Sequence, residues 1–314
     1  MIDLFRRGSA KASAAQAKRT PVPDDPFDGQ YWSKLEYLAI VSRKVFSGRA
    51  RAERRSKKTG SGIEFADYRH YCSGDDFRHL DWNVYGRLGR LLTRLYQEEE
   101  DLIIHILLDR SASMAFGEPS KLVYGKQLAA AMAYLGLGHL DRVSLFVFGE
   151  AIEARLPPAR GKHHIFEVFD FLRPVTAAGR TDLAGAARSF VARNKRRGVV
   201  ILISDLYDHA GFEAGLRQLR YGKYETYVLH LLDENEARPR LPGEAWLVDA
   251  ETGEGREVVL SPGLLERYTE AHAAYLGRVQ AFCRQLQIPL FSLSTRIAFD
   301  DAVLRFLRRG GMVG

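Results

Sequence analysis

Two stretches of the chain are apolar at almost every position: Leu-Ile-Ile-His-Ile-Leu-Leu at 102–108 and Val-Val-Ile-Leu-Ile at 199–203. Runs of this length without alternation fit strands buried on both faces of a parallel sheet. Both end abruptly in oxygen chemistry. The first runs into Asp109-Arg-Ser111-Ala-Ser113 and the second into Ser204-Asp205. Around them the periodicity switches repeatedly between strand and helix. Helices are predicted at 118–137, with Pro119 in the first turn, and at 162–172, 182–196, 211–221, 262–287 and 300–309. Thr181 is the expected N-cap of the helix at 182–196. Strands are predicted at 101–108, 141–148, 153–156, 198–204, 225–232 and 289–294. Two further strands, at 245–249 and 256–260, flank Glu251-Thr-Gly-Glu-Gly255, a hairpin signal. Alternating strands and helices imply βαβ units. The expected fold is α/β, a doubly wound, mostly parallel sheet with helices on both faces.

The region before this alternation reads differently. Residues 1–26 are rich in Ala, Ser and Lys and end in Pro21-Val-Pro-Asp-Asp-Pro26, which predicts a disordered tail. Residues 27–100 form an N-terminal extension: a helix at 32–46, a basic block at 49–58, a Gly60-Ser-Gly62 joint, and a dense charged and aromatic stretch at 63–100 containing a strand at 91–97. The α/β domain is expected over 101–309. The stretch at 63–100 has two readings. It is a structural cap whose acids and arginines pair, or it is a binding surface. The candidates for partner binding are Asp75, Asp76, Arg78, Asp81 and Trp82, together with Arg180 from a later loop. Trp82 and Tyr85 also read as packing residues, as do Tyr221, Tyr224 and Tyr227, and His105 reads as a hydrogen-bonded core histidine.

The 314 residues carry a formal net charge of +7, which bears on association rather than on fold. The basic block reads first as a solvated connection. It lacks the aromatic platform or groove-reading helix that nucleic-acid binding calls for, so nucleic acid is not the expected partner. The two cysteines, Cys72 and Cys283, stand far apart outside any metal-ligand spacing, and both are expected to be buried and unpaired. No run approaches the roughly 18 apolar residues of a membrane helix. With no secretory signal pattern at the start, a cytoplasmic location is expected.

Three pieces of the chain share one chemistry. Asp109, Ser111 and Ser113 follow the first apolar strand. Gly179-Arg-Thr181 opens a helix, and Asp205 ends the second apolar strand. Open α/β sheets bind ligands outside the carboxyl ends of their strands, where strand order reverses. Two carboxylates and three hydroxyls gathered there are hard oxygen donors suited to Mg²⁺, with Mn²⁺ or Ca²⁺ as alternatives. Each piece alone has a plainer explanation, a helix cap above all; their order and placement together make the pattern specific.

These three pieces resemble the metal-ion-dependent adhesion site of von Willebrand factor A domains. The resemblance implies Asp109, Ser111 and Ser113 in a first metal loop, Thr181 in a second and Asp205 in a third, within a Rossmann-like fold. Glu64-Phe-Ala-Asp-Tyr-Arg-His-Tyr71, Gly74-Asp-Asp-Phe-Arg-His-Leu-Asp-Trp82 and Gly86-Arg-Leu-Gly-Arg90 resemble the signature of the bacterial domain-of-unknown-function-58 family. The combined likeness covers about residues 31–307. It implies a partnership with MoxR-type AAA+ ATPases in chaperone-like assembly or maturation of client proteins. Arg180 departs from the family's pattern, standing where a second glycine often precedes the threonine.

The expectation is thus a non-enzymatic adaptor in which a metal recruits an acidic residue of an ATPase or client. The alternative is a Mg²⁺-dependent phosphohydrolase or nuclease using Asp109 and Asp205. Aspartyl-nucleophile chemistry usually wants a second acid two residues on, where Ser111 stands. No phosphate loop, metalloprotease motif or nucleophile elbow is present.

Overall fold

A computed structural model describes residues 2–3, 25–46, 59–60, 64–97, 103–139, 141–194, 196, 198–239 and 243–309. In chain order the elements are β1 (Ile2–Asp3), α1 (Gly29–Phe46), β2 (Thr59–Gly60), β3 (Glu64–His70), α2 (Trp82–Leu88), β4 (Leu92–Gln97) and β5 (Ile103–Asp109). Then come α3 (Lys121–Gly138), β6 (Arg142–Phe148), β7 (Ile152–Arg160), α4 (Ile165–Leu172), α5 (Leu183–Arg193), β8 (Val199–Ser204), α6 (Glu213–Tyr221) and β9 (Glu225–Leu232). The chain closes with α7 (Glu234–Ala237), β10 (Gly243–Asp249), β11 (Gly255–Leu260), α8 (Pro262–Gln285), β12 (Leu290–Ser294) and α9 (Phe299–Arg309). Most of the predicted disordered tail and the whole basic block at 49–58 lie outside the described residues. Ile2–Asp3, within that tail, pairs antiparallel with β10.

Two compact units emerge: residues 1–41 with 102–310, and 42–101 with 311–314. The larger unit takes in α1 as far as Val41, whereas the sequence pattern places this helix in the extension at 27–100. Tyr31, Leu35 and Leu38 are buried there, and the Tyr31 hydroxyl donates to the Gln127 carbonyl at 2.6 Å.

The larger unit is built on a six-stranded sheet of order β12-β9-β8-β5-β6-β7. All pairings are parallel except β6 with β7. Every residue of β5 and β8 is buried, as unbroken apolar runs require. Alternate side chains face opposite helical layers. Leu107, Phe146, Val200, Leu202 and Val228 pack with Phe190 of α5, Leu216 of α6 and Val279 of α8. On the other face Gly125 of α3 lets that helix approach Leu108, Ile203 and Leu231. A mixed α/β fold with a central, mostly parallel sheet and helices on both faces is therefore the observed architecture. A smaller antiparallel sheet, β1-β10-β11, also belongs to this unit.

Several elements differ from expectation for local reasons. The helix α3 starts at Lys121, capped by Ser120, so Pro119 precedes it rather than sitting in its first turn. Strand β7 runs through Pro157 and Pro158 to Arg160, well beyond the short strand expected at 153–156. It is an edge strand, where missing N–H donors are tolerated, and its register shifts between Val143 and Leu145 of β6. The smaller unit holds a sheet of order β2-β4-β3 and the helix α2. The strand β3 is not among the expected elements, because its aromatic and charged residues mask the apolar alternation. Cys283 is buried, but Cys72 is exposed, contrary to expectation; both are free.

Candidate functional site

Strands β5 and β8 are adjacent and parallel, with Leu108 opposite Ile203. β5 continues to β6 on one side, while β8 and β9 lie on the other, so strand order reverses between β5 and β8. Their carboxyl ends therefore deliver Asp109 and Ser204-Asp205 to one crevice. Asp109 Oδ2 accepts from the Ser204 hydroxyl at 2.7 Å, and Oδ1 accepts from the Ser111 N–H at 2.9 Å. The Ser111 and Ser113 hydroxyl oxygens lie 3.0 Å apart. Asp109, Ser111, Ser113 and Asp205 are all buried. Burial, followed by the nearby Asp205, pushes the Asp109 carboxyl up to about 7.

The three loops are laced together by backbone. The Ala112 N–H donates to the Gly179 carbonyl at 2.9 Å, and the Ala178 N–H to the Arg110 carbonyl at 2.8 Å. The Leu183 N–H donates to Asp208 Oδ2 at 2.9 Å, tying the second loop to the third. Thr181 is not the N-cap of α5. Asp182 takes that role, accepting from the Gly185 N–H at 2.7 Å. The Thr181 hydroxyl is thereby released from capping duty.

The third loop is held in a constrained form. Leu206 adopts φ 58°, a left-handed conformation unfavourable for a branched side chain. It is anchored from α8, where the Tyr275 hydroxyl donates to the Leu206 carbonyl at 2.5 Å. His230 of β9 supports the same loop, its Nε2 lying 3.1 Å from the Asp205 carbonyl.

One participant carried no signal in the sequence. Lys121, first residue of α3, is fully buried, and its Nζ donates to Asp205 Oδ2 and Glu236 Oε1, both at 2.6 Å. Burial alone lowers an ammonium's pKa, but Asp205 and Glu236 outweigh it and hold Lys121 above the usual lysine value. Glu236 remains raised, to about 7, because burial exceeds the help from Lys121. Glu236 sits in the short helix α7, beyond the reach of any spacing argument from Asp205.

A second unforeseen residue is Glu251, in the turn between β10 and β11. Its Oε1 accepts from the Thr181 hydroxyl at 3.4 Å. Among the described residues no group of three or more His, Cys, Asp or Glu side chains is placed to hold a metal. A cation at this edge would have to draw on the serine and threonine hydroxyls together with Asp109 and Asp205.

The remaining candidates separate. Arg180 is exposed beside Thr181. The other five lie in the smaller unit, and most of their polar groups are satisfied there. Asp75 pairs with Arg69 and Asp76 with Arg78, each at 2.6 Å. Asp81 caps α2 through the Asn83 and Val84 N–H groups and accepts from Tyr68 and Arg94. Trp82 and Tyr85, expected as packing, are 62% and 45% exposed. Tyr221 is exposed too, whereas Tyr224 and Tyr227 are buried as expected. His105 is a core histidine, its Nδ1 lying 2.7 Å from the Ser144 hydroxyl.

Residues 67–275 match the model of the family described as proteins of unknown function DUF58. The chain belongs to the DUF58 family. An uncharacterized protein of Mycobacterium tuberculosis is 28% identical over 313 residues, covering 97% of this DUF58 chain and 98% of the relative. Among solved structures, the conserved hypothetical protein BatB from Bacteroides thetaiotaomicron is 17% identical, with a TM-score of 0.41, covering 67% of this chain and 98% of its own. An aerotolerance-related membrane protein from Bacteroides fragilis is 17% identical, with a TM-score of 0.39, covering 66% and 99% respectively. In this DUF58 protein no helix among the described residues is long and apolar enough to cross a membrane.

Proposed function

We propose that the carboxyl edge of β5 and β8 is a divalent-cation site of the von Willebrand factor A type, and that the protein is a non-enzymatic adaptor docking an acidic side chain of a partner there. The observation that carries this reading is the juxtaposition of Asp109 with Ser111 and Ser113 in a buried crevice. Their two hydroxyl oxygens lie 3.0 Å apart. Octahedral Mg²⁺, at about 2.1 Å from each ligand, has adjacent oxygens about 3 Å apart. Asp109, Ser111, Ser113, Thr181 and Asp205 are the residues that would hold the ion, Mg²⁺ first and Mn²⁺ or Ca²⁺ as substitutes. Bound there, the cation supplies an electrophilic position attractive to a carboxylate.

The chain's own residues prepare that position. Lys121 neutralises part of the negative charge and fixes the Asp205 rotamer, leaving Asp109 as the carboxylate most in need of a counter-charge. The proposed partner class is a MoxR-type AAA+ ATPase or one of its client proteins, contributing an Asp or Glu. A hydrolase using Asp109 as nucleophile is disfavoured on chemical grounds. The position two residues on, where aspartyl-nucleophile chemistry usually places a second acid, is Ser111.

The test is isothermal titration of the full chain with Mg²⁺, followed by affinity capture from a lysate of the source cells with and without chelator. Binding of Mg²⁺ that disappears in Asp109→Ala, with partners released by chelator, supports the reading. Turnover of a generic phosphoester substrate that Asp109→Ala abolishes overturns it in favour of the hydrolase.

A further inference from the structure

A glutamate in an exposed turn normally points to water. Glu251 does not. The turn is tightly made: Asp249 Oδ1 accepts from the Glu251 N–H at 2.9 Å and from the Thr252 N–H at 2.8 Å. Gly253 completes it at φ 72°, donating its N–H to the Asp249 carbonyl at 2.9 Å. Its neighbours Thr252, Gly253 and Glu254 are exposed, yet the Glu251 side chain is only 2% accessible. One carboxylate oxygen takes the Thr181 hydroxyl at 3.4 Å. The other, Oε2, is buried without a hydrogen-bond partner among the described residues. His209, from the loop that follows Asp205, flanks it, with Nε2 3.6 Å from Glu251 Oε2 and 3.8 Å from Asp249 Oδ2.

A buried carboxylate oxygen without a hydrogen bond, faced by the half-exposed His209 ring at 3.6 Å and lying in the field of Asp205, is unfavourable by itself. It is the arrangement expected of an acid that shares a cation with its neighbours. We infer that Glu251 is the site's own docking carboxylate: carried on the β10–β11 turn, it occupies in cis the position that a partner's acidic side chain takes. This rests on the reading of Asp109, Ser111, Ser113, Thr181 and Asp205 as a cation site, and it adds a regulation to it. With the hairpin seated, the site is closed by the chain itself. A partner carboxylate gains access by displacing the hairpin, so affinity for a partner is set by competition with an intramolecular acid at high effective concentration.

The experiment uses the full chain and Mg²⁺ alone. Amide hydrogen exchange is followed across 243–260 with and without Mg²⁺, alongside calorimetric titration, in wild type, Glu251→Gln, Glu254→Gln and Asp109→Ala. The inference expects Mg²⁺ to slow exchange of the hairpin in wild type and in Glu254→Gln. The slowing is lost in Glu251→Gln, and Mg²⁺ binds that variant about tenfold more weakly, since affinity follows the number of charged ligands. If wild type binds Mg²⁺ through Asp109 but hairpin protection is absent, or survives Glu251→Gln, the inference is wrong while the cation site stands. If wild type binds no Mg²⁺, or binds it equally well after Asp109→Ala, the cation site itself is wrong and the inference goes with it.

Discussion

Lys121 Nζ lies 2.6 Å from Asp205 Oδ2, and neither side chain is accessible to solvent. The pair brings the first turn of α3 to the carboxyl end of β8, and Glu236 closes it from a third element. A cation is therefore already built into the edge of the sheet where the proposed metal ligands converge. Its presence sets the charge balance of the site: Lys121 is shared by Asp205 and Glu236, while Asp109 has no basic partner among the described residues.

Breaking that pair leaves two buried carboxylates without their counter-charge. Lys121→Met is expected to destabilise the protein by about 3–5 kcal/mol, the usual cost of removing one partner from a buried ion pair. Urea unfolding followed by circular dichroism measures it. A change below about 1 kcal/mol would show that the pair contributes little to folding.

Asp109 is held up at about 7 by burial and by Asp205. Between the unfolded carboxyl value near 4 and this value, the native state keeps a proton that the unfolded chain has lost. Metal-free stability from this group therefore falls as pH rises through that window. Asp109→Asn keeps the shape and removes the charge. Relative to metal-free wild type, the variant is expected to gain stability as pH rises from about 4 to about 7, by up to about 1.4 kcal/mol per unit, and to level off above that. It should also lose any Mg²⁺-dependent rise in Tm. Thermal unfolding at several pH values, with and without Mg²⁺, reads both effects.

His105 has the opposite sign. Burial pulls its pKa down to about 4. Between about 6.5 and 4 the unfolded imidazole takes up a proton that the native one refuses. The penalty is absent above 6.5 and grows as pH falls. His105→Gln is expected to gain stability relative to wild type on acidification, by up to about 1.4 kcal/mol per unit. Since His230 is lowered in the same way and Glu236 raised like Asp109, the wild-type profile alone is a partial cancellation. The difference between variant and wild type at each pH carries the information.

Gly215 marks where α6 crosses the start of α5. A Cβ there would meet Leu183 Cγ at 2.4 Å and the Leu183 carbonyl carbon and oxygen at 2.9 Å. Backbone cannot step aside as a side chain can. Gly215→Ala is expected to push the two helices apart at a cost of about 1–3 kcal/mol, and to disturb the Thr181 loop that leads into α5. Chemical denaturation measures the first effect. A variant as stable as wild type would show that this crossing has slack.

Much of this protein is written locally. The unbroken apolar runs of β5 and β8 determine strands buried on both faces, because a strand with water on one side would have to alternate. The oxygen-rich residues after them lie at the carboxyl ends of those strands, since chain direction leaves no alternative. Three features were decided only by the tertiary structure. The adjacency of β5 and β8 brings Asp109 to Ser204, 95 positions apart. Lys121 reads as an ordinary polar residue in the first turn of an Ala-rich helix expected from 118, yet meets Asp205 and Glu236 across separations of 84 and 115 residues. Glu251 reads as a hairpin turn residue, yet folds inward to Thr181, 70 residues before it. Hydrophobic periodicity reports the environment of each segment, one element at a time. Which charged side chain is buried against which depends on strand order and helix crossing. Those are settled by the packing of the whole sheet, after each local element has already been chosen.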